Sequence, residues 1–226
     1  MGDDAWEETY SVGKHINNWP WSDVVSLFFR YQAQLPQRSH VRRMKVLELG
    51  SGTGNNIAFW KSVGAEYSGV DQSVTAVAKT LEKFPELQNN ILVGDFSNSL
   101  AASEEFDIIC DRAAVTHGTT REISETLKAS HQALKEGGLF SGVDWFSKRH
   151  SDYLLPSTVK DEHTRSDFMS RQFTGVGKVH FSDRQHLLEL FNDFQILELS
   201  EKVITKSYPE IDNHVFAFWN IVARKK

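Results

Sequence analysis

The sequence predicts an α/β fold: a doubly wound, mostly parallel seven-stranded sheet with helices on both faces and an antiparallel C-terminal hairpin. Three observations predict it. From Lys45 to Asp144, short apolar runs alternate with helix-patterned segments. Asp71, Asp111 and Asp144 each end such a run, as expected where strands deliver polar side chains to one edge of a sheet. The last two apolar runs, 194–204 and 214–223, are separated by a short turn near Pro209, too short for a parallel crossover.

Residues 1–21 are acidic and aromatic, with Trp6, Tyr10, Trp19 and Trp21 interrupted by Gly13 and Pro20. Disordered tails are poor in aromatics, so this segment is expected to cover a core edge or a ligand. Ser22 is expected to cap a helix over 23–34. The basic run Arg38, His40, Arg42, Arg43 and Lys45 reads as a solvated loop.

The alternation then begins. Residues 45–49 read as a strand, 55–63 as a helix and 66–70 as a strand ending at Asp71. Ser73 caps a helix over 74–84 that stops before Pro85. Ile91-Leu92-Val93 is a third strand and 106–110 a fourth. A helix over about 120–136 is expected to end at Gly137-Gly138, before a fifth strand at 139–143. Residues 146–178 break the rhythm, and a connection of that length is usually functional. Ser182-Asp183-Arg184-Gln185 reads as a capping box for a helix over 183–192.

At 226 residues, 40% of them hydrophobic, the chain can bury a substantial core. A net charge of −5 argues against nucleic acid or an anionic membrane as the main partner. The single cysteine, Cys110, excludes an internal disulfide framework, and its apolar surroundings predict a buried, inert thiol. No basic-then-apolar start suggests a signal peptide, and no apolar run approaches the about 18–20 residues of a membrane span. The expected location is the cytoplasm.

The chain is organised around Val46-Leu47-Glu48-Leu49-Gly50-Ser51-Gly52-Thr53-Gly54, a strand running into a glycine turn and then a helix. A dinucleotide fingerprint needs glycine at the first, third and sixth positions. From Gly50 the sixth residue is Asn55, and from Gly52 it is Ile57, so the fingerprint fails in both registers. Glu48, two residues before the first glycine, would repel a pyrophosphate and would suit a cationic ligand. No Lys-Ser/Thr pair follows the glycines, so a phosphate-binding P-loop fails as well.

Val46–Gly54 resembles the first motif of class I S-adenosylmethionine-dependent methyltransferases, an acidic residue followed by Gly-x-Gly-x-Gly. Later landmarks agree in order: Asp71, Gly94-Asp95-Phe96, Asp111, and Leu134-Lys135-Glu136-Gly137-Gly138, where Glu136 stands for the family's proline. The resemblance covers about residues 40–223. It divides the chain into an N-terminal aromatic and helical cap over 1–40 and a Rossmann-like methyltransferase domain over 41–226, with a substrate-side insertion at about 146–180.

The resemblance implies S-adenosyl-L-methionine as cofactor and S-adenosyl-L-homocysteine as product. Glu48 would attract the ammonium, and backbone amides near Gly50, Ser51, Gly52, Gly54 and Asn55 would line the methionine and ribose part. Asp71 would accept from the ribose hydroxyls beside Gln72. Asp95 would accept from the adenine amino group while Phe96 packs on the ring. Asp111 and Arg112 would lie where the cofactor's amino-acid end meets the substrate.

His117 is the first candidate for a general base and Asp144 the second. Tyr10, Trp19, His117, Trp145 and Tyr153 are the expected substrate-binding residues, and no metal ligands are assigned. The Asn/Asp-Pro-Pro-aromatic signature of base amino-methylating enzymes is absent after the fourth strand, where Asp111-Arg112-Ala113-Ala114 stands. A Pro-Cys nucleophile and a cysteine set for arsenite are absent too, and no Asp-Asn pair for metal-dependent catechol chemistry lies near the strand end at Asp144. A small-molecule acceptor is therefore expected, with no nucleic-acid or membrane partner, in a monomer or homodimer. Two alternatives stay open: a non-catalytic S-adenosylmethionine-binding subunit and a nucleotide-binding oxidoreductase.

Overall fold

The computed structural model describes residues 5–36, 44–96, 105–206 and 212–226. The basic residues Arg38, His40, Arg42 and Arg43 and the turn at Pro209 lie outside the described residues. The main sheet has seven strands: β1 (Lys45–Leu49), β2 (Glu66–Asp71), β3 (Ile91–Val93), β4 (Phe106–Arg112), β5 (Leu134–Phe146), β9 (Phe194–Lys206) and β10 (Asp212–Lys225). Their order is β3-β2-β1-β4-β5-β10-β9. Strands β1 to β5 pair in parallel, while β10 runs antiparallel between β5 and β9. The expected doubly wound sheet with its C-terminal hairpin is therefore present.

The period-two pattern of β1 explains the layers. Leu47 and Leu49 enter one core with Ile109, Phe140, Trp145 and Leu127. Val46 enters the other with Ile108, Val143, Trp60 and Phe28. Helix α5 (Thr120–Ala133) and α6 (Arg184–Leu190) cover the first face, and α2 (Ser22–Tyr31), α3 (Ile57–Ser62) and α4 (Val74–Lys83) the second. Each fully buried Leu, Ile or Phe contributes about 1.5–3 kcal/mol by leaving water.

Several boundaries differ from expectation for identifiable reasons. Ser22 is the first residue of α2, not its cap; Trp21 stands at the cap and offers no side-chain acceptor. Ser73 does cap α4, its hydroxyl accepting from the amide of Ala76 across 3.0 Å. The capping box lies at α5, where Thr119 and Glu122 exchange bonds. At α6 the cap is Asp183 alone, not a Ser182 box.

Helix α5 ends at Ala133, and Gly137-Gly138 lies within β5, in an irregularity where Leu134 pairs with Phe106 and Leu139 with Ile108. Gly137 has a φ of 74°, so the glycine stop serves as a bulge. Strand β5 then runs past Asp144 to Phe146.

The insertion folds into a second sheet of β6 (Thr158–Val159), β7 (Thr164–Ser166) and β8 (Val179–His180). It has an aromatic core of Phe146, Phe168, Phe173 and Phe181, against which Trp6 of α1 (Ala5–Ser11) packs. Among the described residues, no helix is long and apolar enough to cross a membrane.

Candidate functional site

The strand order reverses between β1 and β4, and ligands of open α/β sheets sit at the carboxyl ends beside that switch. Here the glycine turn after β1 meets the turn after β4. A Cβ on Gly50, which has a φ of 64°, would lie 2.1 Å from Cβ of Ala114, so only glycine fits. Beside this contact opens a cavity of about 430 Å³.

Four amides of the turn are engaged within the protein. Those of Gly50 and Ser51 donate to the Val70 carbonyl at 2.8 and 3.1 Å, and that of Gly54 donates to the Ser51 carbonyl. The Gly52 amide donates to the Asp71 carboxylate at 2.8 Å. The expectation that the amides of Gly50, Ser51, Gly52 and Gly54 bind the ligand is corrected: these four hold the turn together, and the turn supplies bare backbone as a floor. A phosphate cradle needs outward amides, which these four do not supply.

Glu48 borders the cavity and is almost fully buried. Its carboxylate accepts from Asn56 Nδ2 at 2.6 Å and from the Tyr67 hydroxyl at 2.7 Å. Burial pushes its pKa up to about 7 against those two bonds, with Asp111 and Asp71 adding repulsion. Asp71 also borders the cavity; its carboxylate accepts from the Gly52 and Ser73 amides, and burial shifts it upward. Ser51, Asn55, Gln72, Asp95, Phe96 and Arg112 complete this half of the lining. Arg112 pairs with Asp144 at 3.1 Å and stacks on the indole of Trp21 at 3.7 Å, while its Nε is buried with no hydrogen-bond partner among the described residues.

The other half is aromatic. Trp6, Tyr10 and His15 come from the N-terminal segment, Phe146 and Phe218 from the sheet, and Phe173, Val176 and Lys178 from the insertion. Helix α1 is fastened over the cavity by Glu7, which accepts from the hydroxyls of Ser73 and Thr75 and the Thr75 amide at the start of α4. A Cβ on Gly52 would lie 2.8 Å from the Tyr10 hydroxyl, so α1 closes directly onto the glycine turn. Burial and the Asp71 charge raise the Tyr10 pKa far above that of an ordinary phenol.

His117 lines this half, its ring edge-on to Trp6 at 4.9 Å. Its Nδ1 lies 2.7 Å from the Lys178 carbonyl oxygen. A carbonyl only accepts, so Nδ1 carries the hydrogen and Nε2 the lone pair of the neutral ring. Lys178 Nζ in turn binds both oxygens of Glu122 at 2.8 and 2.7 Å.

Six expected site residues do not line the cavity. Gly54 packs against Ile57 and Thr80 instead. Asp111 is fully buried below the floor, accepting from the Ala114 and Val115 amides and from the Trp145 indole at 2.5 Å; burial raises its pKa to about 6. Trp145 is correspondingly a core residue. Asp144 is held between Arg112 and Lys202, with a left-handed φ of 56° and its amide donating to Asn220 Oδ1. Both of its carboxylate oxygens are engaged by these cations, and neither oxygen lines the cavity. Trp19 is exposed, and Tyr153 stacks with Arg165 and Phe181 outside the cavity. Cys110 is buried as expected, its thiol pushed up by burial, Glu48 and Asp111.

Trp6 and Trp21 lie in the segment expected to cover a core edge or a ligand but were not singled out as site residues, and sequence reasoning missed Phe146, Phe173, Phe218 and the Glu122–Lys178 pair as lining. Trp6 and Tyr10 stand four residues apart, and that spacing was the available signal for one helix face. The phenylalanines carry no local signal, because the insertion brings them together only on folding.

The donor set fits a ligand with a cationic group and hydroxyls: besides Glu122, which is paired with Lys178, three acids, Glu48, Asp71 and Asp95, border the cavity, and one guanidinium, Arg112, lies beside them. Comparison with known proteins agrees. Residues 46–138 match the family described as "Methyltransferase domain". A methyltransferase of Staphylococcus carnosus is 23% identical over 210 residues, covering 92% of this chain and 82% of its own length.

Among solved structures, an S-adenosylmethionine-dependent methyltransferase of Anabaena variabilis superposes with a TM-score of 0.68 at 13% identity, over 99% of this chain and 93% of the other. The 1,6-didemethyltoxoflavin-N1-methyltransferase of Burkholderia thailandensis, with S-adenosylhomocysteine bound, gives 0.59 at 17% identity, over 98% and 88%. These two likenesses show the fold.

Proposed function

We propose that this chain, a class I S-adenosylmethionine-dependent methyltransferase, methylates a small molecule held in the aromatic half of its cavity. The observation that carries the reading is the roof. Residues of α1 and of the insertion line the same cavity as the glycine turn and Asp71. At about 430 Å³ it has the size of a small-molecule site. The net charge of −5 also disfavours a nucleic-acid acceptor.

S-adenosylmethionine supplies an electrophilic methyl group when bound. The chain's own residues bind, orient and keep out water. In this reading Glu48 faces the ammonium, Arg112 the carboxylate, Asp71 the ribose hydroxyls, and Asp95 with Phe96 the adenine. His117 Nε2 takes the proton from the acceptor's hydroxyl, thiol or amine, because the Lys178 carbonyl fixes its hydrogen on Nδ1. Trp6, Phe146, Phe173 and Phe218 exclude water and offer flat faces to a ring. The proposal places the enzyme in the cytoplasm as a monomer or homodimer, with no nucleic-acid or membrane partner.

The test is S-adenosylhomocysteine release, read by mass spectrometry, with phenol, thiol, amine and sugar acceptors set against RNA, DNA and protein. Transfer to a small molecule is expected. Transfer to a polymer alone overturns the acceptor class.

A further inference from the structure

Outside the cofactor cavity, three buried histidines from three segments converge. His163 precedes β7, His180 ends β8 and His186 lies in the first turn of α6. One ligand nitrogen from each lies within 4.8 Å of the others. We propose that His163, His180 and His186 form a site for a divalent transition-metal ion of the Zn2+ type, which clasps the insertion to the start of α6.

Hydrogen-bond chemistry fixes two of the three tautomers. The Phe181 carbonyl lies 3.2 Å from His163 Nδ1 and only accepts, so Nδ1 carries the hydrogen and Nε2 the lone pair. Thr164 gives its single hydroxyl hydrogen to the Asp161 carboxylate at 3.1 Å, so its oxygen accepts from His180 Nδ1 at 2.9 Å. His180 Nε2 therefore carries a lone pair too. These Nδ1 bonds to a carbonyl and a hydroxyl are the outer-shell pattern that orients metal-ligating imidazoles.

Nε2 of His180 lies 3.0 Å from Nε2 of His186. Either a proton on His186 or a shared cation must lie between them. The lone pair of His163 Nε2 stands 3.7 Å from an oxygen of the solvent-exposed Glu162 carboxylate. The His163 and His186 rings are stacked nearly parallel with centroids 3.5 Å apart, so the His163 ring must turn out of that stack for both in-plane lone pairs to reach one ion at about 2.0–2.1 Å.

The surrounding charge agrees. Asp161, Glu162 and Asp183 stand around the cluster with two cations, Lys148, which pairs with Asp183 at 2.9 Å, and Arg165, whose guanidinium donates to the Asp161 and Glu162 carbonyls. Three carboxylates against two cations leave a net negative charge, which favours a cation among the nitrogens. Three imidazoles suit Zn2+, with Glu162 the nearest carboxylate for a fourth position.

The clasp bears on the cavity. Asp161 accepts from the Thr120 amide at 2.9 Å, and Lys178, two residues before His180, holds His117. The site thus stiffens the frame that positions His117.

The test titrates Zn2+ into the chelator-treated full-length chain by calorimetry. One ion per chain is expected, with Tm raised by about 5–10 °C at a hundredfold excess over Kd. Co2+ in the unmodified protein should show the visible absorption of a four-coordinate nitrogen site. Thr164→Val, which keeps all three ligands, should weaken binding about 10–100-fold, and His186→Ala or His163→Gln by more than that. His150→Gln should leave binding intact. Three results overturn the site: no Zn2+ uptake by the wild type, no four-coordinate Co2+ spectrum, or a loss of affinity in His150→Gln in place of the His186 and His163 variants. The Co2+ spectrum decides the matter if the histidine variants fail to fold.

Discussion

Nδ1 of His117 donates to the carbonyl oxygen of Lys178 across 2.7 Å, joining the turn after β4 to the strand that closes the insertion. The bond sets one nitrogen of the ring as donor and leaves the other basic. If that nitrogen accepts the acceptor's proton, His117→Ala lowers kcat by about 10²–10⁴-fold, the usual worth of a positioned base. Cofactor Kd should stay within about twofold, because the proposed cofactor contacts lie in the other half of the cavity. Turnover with the acceptor found by the panel, together with calorimetry, checks both halves. Unchanged kcat in a folded variant removes the base role.

The floor of the cavity makes a separate demand. A side chain on Gly52 would meet the Tyr10 hydroxyl at 2.8 Å, and the backbone there has a φ of 53°. Gly52→Ala therefore carries about 1 kcal/mol of left-handed strain and pushes α1 off the turn. Cofactor affinity should fall at least about tenfold, from a clash worth on the order of 1–3 kcal/mol. Tyr10→Phe removes the atom that clashes, so the double variant should recover part of the loss. Strictly additive losses in that cycle show that the two residues do not meet in solution.

How much of this was legible in the sequence depends on whether a feature is local. The glycine turn, the strand-end acids and the β-α alternation are properties of neighbouring residues and put Glu48 and Asp71 beside the turn, while Asp95 was placed by the family resemblance of Gly94-Asp95-Phe96. Asp144 and Trp145 were misplaced because β5 continues to Phe146, with Asp144 turned into the left-handed region and held between Arg112 and Lys202. Nothing in the local pattern signals that kink. The walls from Phe146, Phe173 and Phe218 depend on where a 30-residue insertion folds back, and His163, His180 and His186 have no metal-motif spacing. Such sites exist only after tertiary packing brings them together.

Cofactor binding should be coupled to a proton. Burial raises Glu48 to about 7 in the free protein, and a bound ammonium would favour its ionised form. Binding then releases a proton near neutrality, and affinity falls as pH drops below 7, toward a limit of about tenfold per unit. Calorimetry in two buffers of different ionisation enthalpy measures the release directly. A buffer-independent heat at pH 6.5 contradicts it, and Glu48→Gln should abolish the pH slope.

Acid stability follows from opposing groups. Burial is the main cause that lowers His150 to about 4, His180 to about 3 and His186 to about 4. The unfolded chain binds protons at these three sites below about 6.5 while the fold resists them, so each contributes stability that is lost as pH falls. Glu48 at about 7 and Asp111 at about 6 work the other way, since the fold already holds their protons where the unfolded carboxylates are ionised. Between about 6 and 4.3 the three histidines outweigh the two carboxyls by one proton, a slope of at most about 1.4 kcal/mol per pH unit and less where solvent screens the groups. Below about 4.3 the unfolded carboxyls protonate and the offset from Glu48 and Asp111 disappears, but the folded His150 and His186 take up protons near 4 as well, so the slope stays at about one proton. Urea denaturation of the chelator-treated protein should therefore show stability that declines gently from about neutrality to about pH 4, with no sharp break at about 4.3. His150→Gln should flatten the gentle limb. A stability that rises on acidification from 6 to 4.5 reverses the predicted sign and places those histidines in water.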